Sequence, residues 1–183
     1  MPIRGPKVKV SRALGLAITP KAAKVMERRS FSPGQHGMGR KRSPSVYKTQ
    51  LVEKQRLKFT YNISEAQLRK LFKKAAHAHR STGEELMSLL EKRLDASILR
   101  MGLAKTCYAA RQYVAHGHFE VNGVRSFNGS QQLKVGDVVS LREKSVNHPQ
   151  IIESSENAPE VPSYLEVDLK KKTGKLVAEP ERD

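Results

Sequence analysis

Between residues 81 and 101 the apolar side chains return at helical spacing: Leu86, Leu89, Leu90, Leu94, Ile98 and Met101. Ser81 and Thr82 each stand three residues before a glutamate, Glu84 and Glu85, the capping-box spacing that satisfies open amides at a helix start. Gly102 supplies the left-handed residue that ends such a helix. A second helix is expected from Thr106, a capping residue, with Ala109, Ala110, Tyr113 and Val114 on its apolar side and Gly117 as its stop. The period then shortens to two, with Phe119 and Val121 flanking Glu120. Asn122-Gly123 signals a tight hairpin, because a type I′ turn needs positive φ at both positions. Val135-Gly136-Asp137 is a further turn, and Val138 to Leu141 a strand. Leu90 to Leu141 therefore reads as two packed helices followed by short strands, around one small core.

Upstream, residues 44–80 read as two more helices. Ser43 can cap the first and Pro44 suits its first position; Tyr47, Leu51 and Leu57 give it a thin apolar stripe. Ser64 with Gln67 makes another capping box, ahead of a core face of Leu68, Leu71, Phe72, Ala75 and Ala76. Residues 1–45 hold too few apolar residues (Val8, Val10, Leu14, Leu16, Ile18) for a core of their own, and five prolines punctuate them. Such a segment is expected to order when a polyanion screens its charge. Downstream, Asn147 to Pro162 is polar and proline-punctuated and reads as a surface connection.

Charge sharpens this division. The net charge is +16, but residues 1–80 carry 20 lysines and arginines against 3 acids, and residues 81–183 carry 14 against 15. A basic segment of that density calls for a polyanionic partner, with nucleic acid the first candidate and an acidic membrane surface the lesser one. No run of eighteen apolar residues exists, so no membrane span is expected, and residues 1–30 lack the apolar block of a signal peptide. The single cysteine, Cys107, excludes an internal disulfide and reads as a small helix-packing residue. His77 and His79 do not share a helical face and read as surface residues. No catalytic constellation and no phosphate-loop motif is present.

The polar side of the predicted helix pair carries the chemistry. Arg93 and Arg100, seven residues apart, are expected on one helical face. Lys105 and Thr106 stand at the second helix's start, and Arg111 and Gln112 on its non-core side. Guanidinium groups, a hydroxyl and helix-terminal amides together suit phosphate. Reversing charge at Arg93 or Arg111 is then expected to weaken RNA binding without unfolding the chain. In the preceding helices Lys54, Arg56, Lys58, Arg69 and Lys73 lie among almost no acids and are read as RNA-backbone contacts. Ser32-Pro-Gly-Gln-His-Gly37 is a loop whose glycines allow close backbone approach and whose Gln35 and His36 can donate hydrogen bonds.

At these residues the sequence resembles a known family. Arg93-Leu-Asp95, Ala110-Arg-Gln-Tyr-Val114, His116-Gly-His118 and Val121-Asn-Gly123 resemble the S4-type RNA-binding module over roughly Leu90 to Asn147. Pro33-Gly-Gln-His-Gly37 with its following basic residues, Arg4-Gly-Pro-Lys7 and Glu27-Arg-Arg29 are similar to the small-subunit ribosomal protein S-four family. That resemblance implies an α+β fold: a mostly helical N-terminal part with an inserted S4-type module of two helices on a short, mainly antiparallel sheet. It implies a basic extension (1–45), a helical domain (46–88) rejoined by residues 162–183, the module (89–152) and a connection (153–161). It adds Arg4, Lys7, Arg28, Arg29, Arg40, Lys41, Arg42, His116, His118 and Asn122 to the expected RNA contacts.

Many members hold zinc on an N-terminal cysteine cluster. Val8 and Ser11 stand at the matching places near the start, so a zinc-free form with no metal and no cofactor is expected. Members commonly continue beyond the segment matching Pro180-Glu-Arg182, so a final helix is expected to be absent or to lie outside this sequence. The implied function is a structural constituent of the small ribosomal subunit, cytoplasmic and bacterial or organellar. It would bind 16S-type ribosomal RNA early in assembly and influence translational accuracy. Its neighbours would be ribosomal proteins S-five and S-three, where messenger RNA enters; regulatory messenger binding is known for some members. An RNA-modifying enzyme and a stand-alone RNA-binding factor carrying the module are the alternatives.

Overall fold

The computed structural model describes residues 5–39 and 43–180. It forms two compact units, Met1–Leu68 and Arg69–Asp183.

In the first unit, α1 (Lys7–Leu14) packs on α2 (Pro20–Arg28) and on α3 (Val46–Thr60). The scarcity of apolar residues is met by polar clasps. Ser11 is fully buried, and its hydroxyl accepts from the Ile18 N–H at 3.3 Å. Arg12 donates twice to the Phe31 carbonyl, at 3.1 and 2.9 Å, and its guanidinium lies 4.9 Å from the centre of the Phe31 ring. Arg56 donates to the Leu14 carbonyl at 2.8 Å. The two helices α1 and α2 thus pack and bond within their own unit. The cap of α3 is Ser45, accepting from Lys48 at 3.3 Å, two residues later than expected. Tyr47 does not join a core; it is 74% exposed.

Next comes α4 (Glu65–Ala76). Its capping box forms reciprocally: Gln67 N–H donates to Ser64 Oγ and Ser64 N–H to Gln67 Oε1, both at 3.3 Å. Leu68 and Ala75 are buried, whereas Phe72 and Ala76 are exposed, so the core face is narrower than the spacing suggests.

The second unit departs from the expected single helix after residue 81. It has α5 (Thr82–Glu91) and α6 (Leu94–Arg100), separated at Lys92 and Arg93. Arg93 is extended (φ −69°, ψ 138°) and bridges to Gln132 in antiparallel fashion. Leu94 N–H donates to Gln131 at 2.9 Å and Leu133 N–H to Lys92 at 2.8 Å. These long-range backbone bonds replace the helical ones the break removes, which is why periodicity alone misses it. The Ser81 side chain makes no capping bond; α5 starts with Glu85 N–H on the Ser81 carbonyl at 3.0 Å.

The Thr106 hydroxyl does cap α7 (Cys107–Ala115), accepting from Ala109 at 3.1 Å. Gly117 stops it at φ 70°, where a Cβ would come within 2.3 Å of Arg125 Nε. The strands are β1 (Phe119–Val121), β2 (Val124–Arg125), β3 (Val138–Leu141), β4 (Leu165–Asp168) and β5 (Thr173–Leu176), in the order β2-β1-β3-β5-β4, all antiparallel. Asn122 and Gly123 both take positive φ, 51° and 77°, as the hairpin requires.

The tail enters this same sheet. Val139 faces Gly174, and Leu165 and Leu176 join Leu94, Ile98, Met101, Phe119 and Val139 in one core. Residues 165–176 thus complete the module's sheet. The expected polar connection also contains a helix, α8 (Pro149–Glu156), which buries Ile151 in that core.

Candidate nucleic-acid interface

The sharpest cluster of charge sits where α6 begins. Asp95 is fully buried and receives two guanidinium groups. Arg93 donates to its Oδ1 at 3.0 Å and its Oδ2 at 2.9 Å. Arg111, from α7, donates to Oδ2 through Nε at 2.8 Å. Two guanidinium groups thus share one carboxylate. Arg93 is 3% exposed and is held inside; the Arg111 side chain is 23% exposed and faces solvent in part. Arg93 is therefore not on an exposed helical face beside Arg100. It is an internal brace, and reversing its charge would put two carboxylates together in the core.

Arg100 is held by Glu91, at 3.1 and 2.7 Å, while keeping 43% of its side chain exposed. The Tyr164 hydroxyl also donates to Glu91, at 3.0 Å; burial, then the Glu91 charge, pushes that phenol up. Lys105 pairs with Glu153 across exposed surface, an arrangement worth about 0–1 kcal/mol and readily exchanged for another anion. The Thr106 hydroxyl is occupied by its cap. Gln112 is exposed. Burial pushes the Cys107 thiol up to about 12.

Around the end of α7, His116 and His118 have ring centres 6.0 Å apart, and His118 and His148 5.3 Å. The His118 Nδ1 lies 2.9 Å from the Ser145 hydroxyl. Burial first, then His148, His116, Arg125 and Arg142, lower its pKa from the ordinary 6.5, so the neutral ring is favoured. Asn122 pins the hairpin to β3, donating to Asp137 at 2.9 Å and accepting from Val138 N–H at 2.9 Å. Its side chain is thus spent on structure.

In the first unit Lys7, Arg28, Arg29, Gln35 and His36 are exposed. Lys54 and Lys58 bind Glu65 at 2.5 and 3.2 Å and hold it below the usual carboxylate range. Arg56 pairs with Glu53 at 2.7 Å. Arg69 and Lys73, in α4, are exposed. Arg4, Arg40, Lys41 and Arg42 lie outside the described residues. Two surface residues escape the sequence reading: Arg125, and Phe127, which is 56% exposed with the Arg125 guanidinium 4.4 Å from its ring centre. The signal for Phe127 is a lone aromatic in a polar run, Ser126-Phe-Asn-Gly-Ser130, that no strand or helix period demands.

Among known proteins, residues 2–91 match the ribosomal protein S4/S9 N-terminal domain and residues 92–139 the S4 domain. The small ribosomal subunit protein uS4 of Streptomyces avermitilis is 49% identical over 181 residues, spanning 97% of this chain and 88% of that one. The chain belongs to the uS4 family. Relatives of the same name in Chlorobium limicola and an Arthrobacter species are 43% and 44% identical, over 98% and 95% of this chain and 90% and 86% of theirs. These are structural proteins of the ribosome, not enzymes, which removes the RNA-modifying alternative. Among the described residues no helix is long and apolar enough to cross a membrane.

Proposed function

We propose that this chain is a structural constituent of the small ribosomal subunit that binds 16S-type ribosomal RNA directly. The likeness to uS4 proteins over nearly its full length carries the reading. The charge distribution supports it. The first unit presents Lys7, Arg28, Arg29 and the Gln35-His36 loop, and the second presents the part-exposed Arg111, and also Arg100 and Lys105, whose acidic partners RNA phosphates can displace. Such groups contact phosphates and 2′-hydroxyls and recognise the shape of folded RNA rather than read a groove. By its family likeness it is expected to bind where several RNA helices meet and to enter early in subunit assembly. Ribosomal proteins S-five and S-three near the messenger path are its expected neighbours, and translational accuracy and regulatory messenger binding its expected further effects.

The test is hydroxyl-radical footprinting on small-subunit RNA, alone and with the other small-subunit proteins. Protection at a junction of RNA helices by this chain alone supports direct, early binding. Protection that needs other proteins first rules out that place in assembly.

A further inference from the structure

The exposed ring of Phe127 stands on a loop that is braced at every residue around it. The Ser126 hydroxyl donates to Gln131 Oε1 at 2.6 Å, closing the loop's base. The Asn128 side-chain oxygen accepts from Ser130 N–H at 3.0 Å and from its hydroxyl at 2.6 Å. Gln131 N–H donates to the Asn128 carbonyl at 3.0 Å. The carbonyl of Gly129 accepts from Asp95 N–H at 3.1 Å, and that of Gln131 from Leu94. A Cβ at Gly129 would lie 3.3 Å from Asp95 Cβ and 3.6 Å from Arg111 Cγ. The loop is therefore fastened to the backbone of Asp95, the residue whose carboxylate holds Arg111.

One face of the ring is backed by Arg125. That guanidinium is fixed in turn, donating to the Gly117 carbonyl at 3.1 Å and the His116 carbonyl at 3.2 Å. An apolar ring held rigidly in water beside cationic groups has a specific use. Unpaired bases stack on aromatic and guanidinium planes, and a pre-ordered plane loses little entropy on binding.

We propose that Phe127, backed by Arg125, is a stacking platform for an unpaired nucleobase of the bound RNA. This rests on the RNA-binding reading above and adds recognition of a single-stranded nucleotide to it. Phosphate capture at Arg111 on α7 and base stacking at Phe127 on the loop packed against it then act together, so the module favours RNA with a base turned out of its helix. The Arg125 guanidinium over the ring and Arg111 against Gly129 of the same loop favour RNA over an apolar protein partner as the occupant.

The experiment uses the full chain and a small-subunit ribosomal RNA fragment. The chain has no tryptophan, so Phe127→Trp introduces a single indole at the platform. RNA is expected to quench its emission while the affinity stays at or above the parent's. Phe127→Tyr keeps the affinity. Phe127→Leu, apolar but not aromatic, weakens it by about 5- to 150-fold, the range for removing one base stack. The salt dependence stays the same, because every phosphate remains bound as before. Tight RNA binding with an unquenched indole and an unaffected leucine variant would overturn the platform and leave the ribosomal reading standing. A leucine variant that binds RNA alone as the parent does, but binds more weakly than the parent in the presence of another ribosomal protein, would assign the ring to a protein contact instead. Absence of RNA binding in the parent chain would overturn both.

Discussion

Asp95 and Arg111, sixteen residues apart, are joined by an Nε–Oδ2 hydrogen bond of 2.8 Å, and the same carboxylate holds the buried Arg93. The site links the chain's interior to its surface: Arg93 stabilises the break between two helices, and Arg111 reaches solvent.

Asp95→Ala should be among the most damaging substitutions. It strands a buried guanidinium, and breaking a buried pair from one side costs about 3–5 kcal/mol. Arg93→Glu should do the same. Arg111→Ala, at a part-exposed position, should fold with a smaller loss but bind RNA more weakly, lowering the log–log salt slope by about 0.7–0.9 for one phosphate. Urea unfolding beside a binding titration separates the two arginines. Equal stability loss at both would contradict the assignment of brace and RNA ligand.

Leu176→Ala, in the tail, should destabilise the second unit by about 2–5 kcal/mol, because Leu176 is fully buried in the core formed with Phe119 and Val139. Gly174→Val should be as harmful: even a Cβ there meets the Met101 sulfur at 2.6 Å. A thermal midpoint unchanged by both would show the tail to be dispensable to the module.

Stability should fall as pH drops below 6.5. His118 has a lowered pKa in the folded chain, so the unfolded chain takes up its proton first. The stability present above 6.5 is lost as pH falls through the folded value. The neighbouring cations act in the same direction: His148, His116, Arg125 and Arg142, the last partly offset by its ion pair with Glu120 at 3.3 Å. Unfolding midpoints between pH 7.5 and 5 should show a drop that His118→Gln reduces; identical pH profiles would sink this assignment.

Cys107 should resist thiol reagents at pH 8 in the folded chain and react promptly in denaturant. Its thiol is buried and pushed up to about 12, chiefly by that burial. Fast native-state labelling would contradict the packing of α7.

Local signals in the sequence succeed where a local bond decides the structure. Thr106 caps, Ser64 and Gln67 form their box, Gly102 and Gly117 take left-handed φ, and Asn122-Gly123 turns the hairpin. They fail where a distant segment decides it. Residues 131–133 break the expected helix at Arg93, β3 recruits β5 from the tail, and Ile151 draws a polar-looking stretch into a helix. The same limit applies to the interface. Arg111 is legible as a surface cation, while the burial of Arg93 depends on the carboxylate that shares its two arginines. The resemblance offers Asn122 as an RNA contact, and its role as a pin stays hidden in the sequence because it needs Asp137, fifteen residues away.

Neutralising Arg28 and Arg29 together, at the exposed end of α2, should weaken RNA binding at low salt and flatten the log–log salt slope by about 0.7–0.9 for each phosphate released, with little change in stability. An unchanged slope would remove these two arginines from the interface.

The most direct measurement is binding of the full chain to a small-subunit ribosomal RNA fragment across a salt series, with excess transfer RNA as competitor. Tight binding that survives the competitor and weakens with a steep log–log slope is expected. Binding that transfer RNA and moderate salt both abolish would contradict a specific ribosomal RNA site.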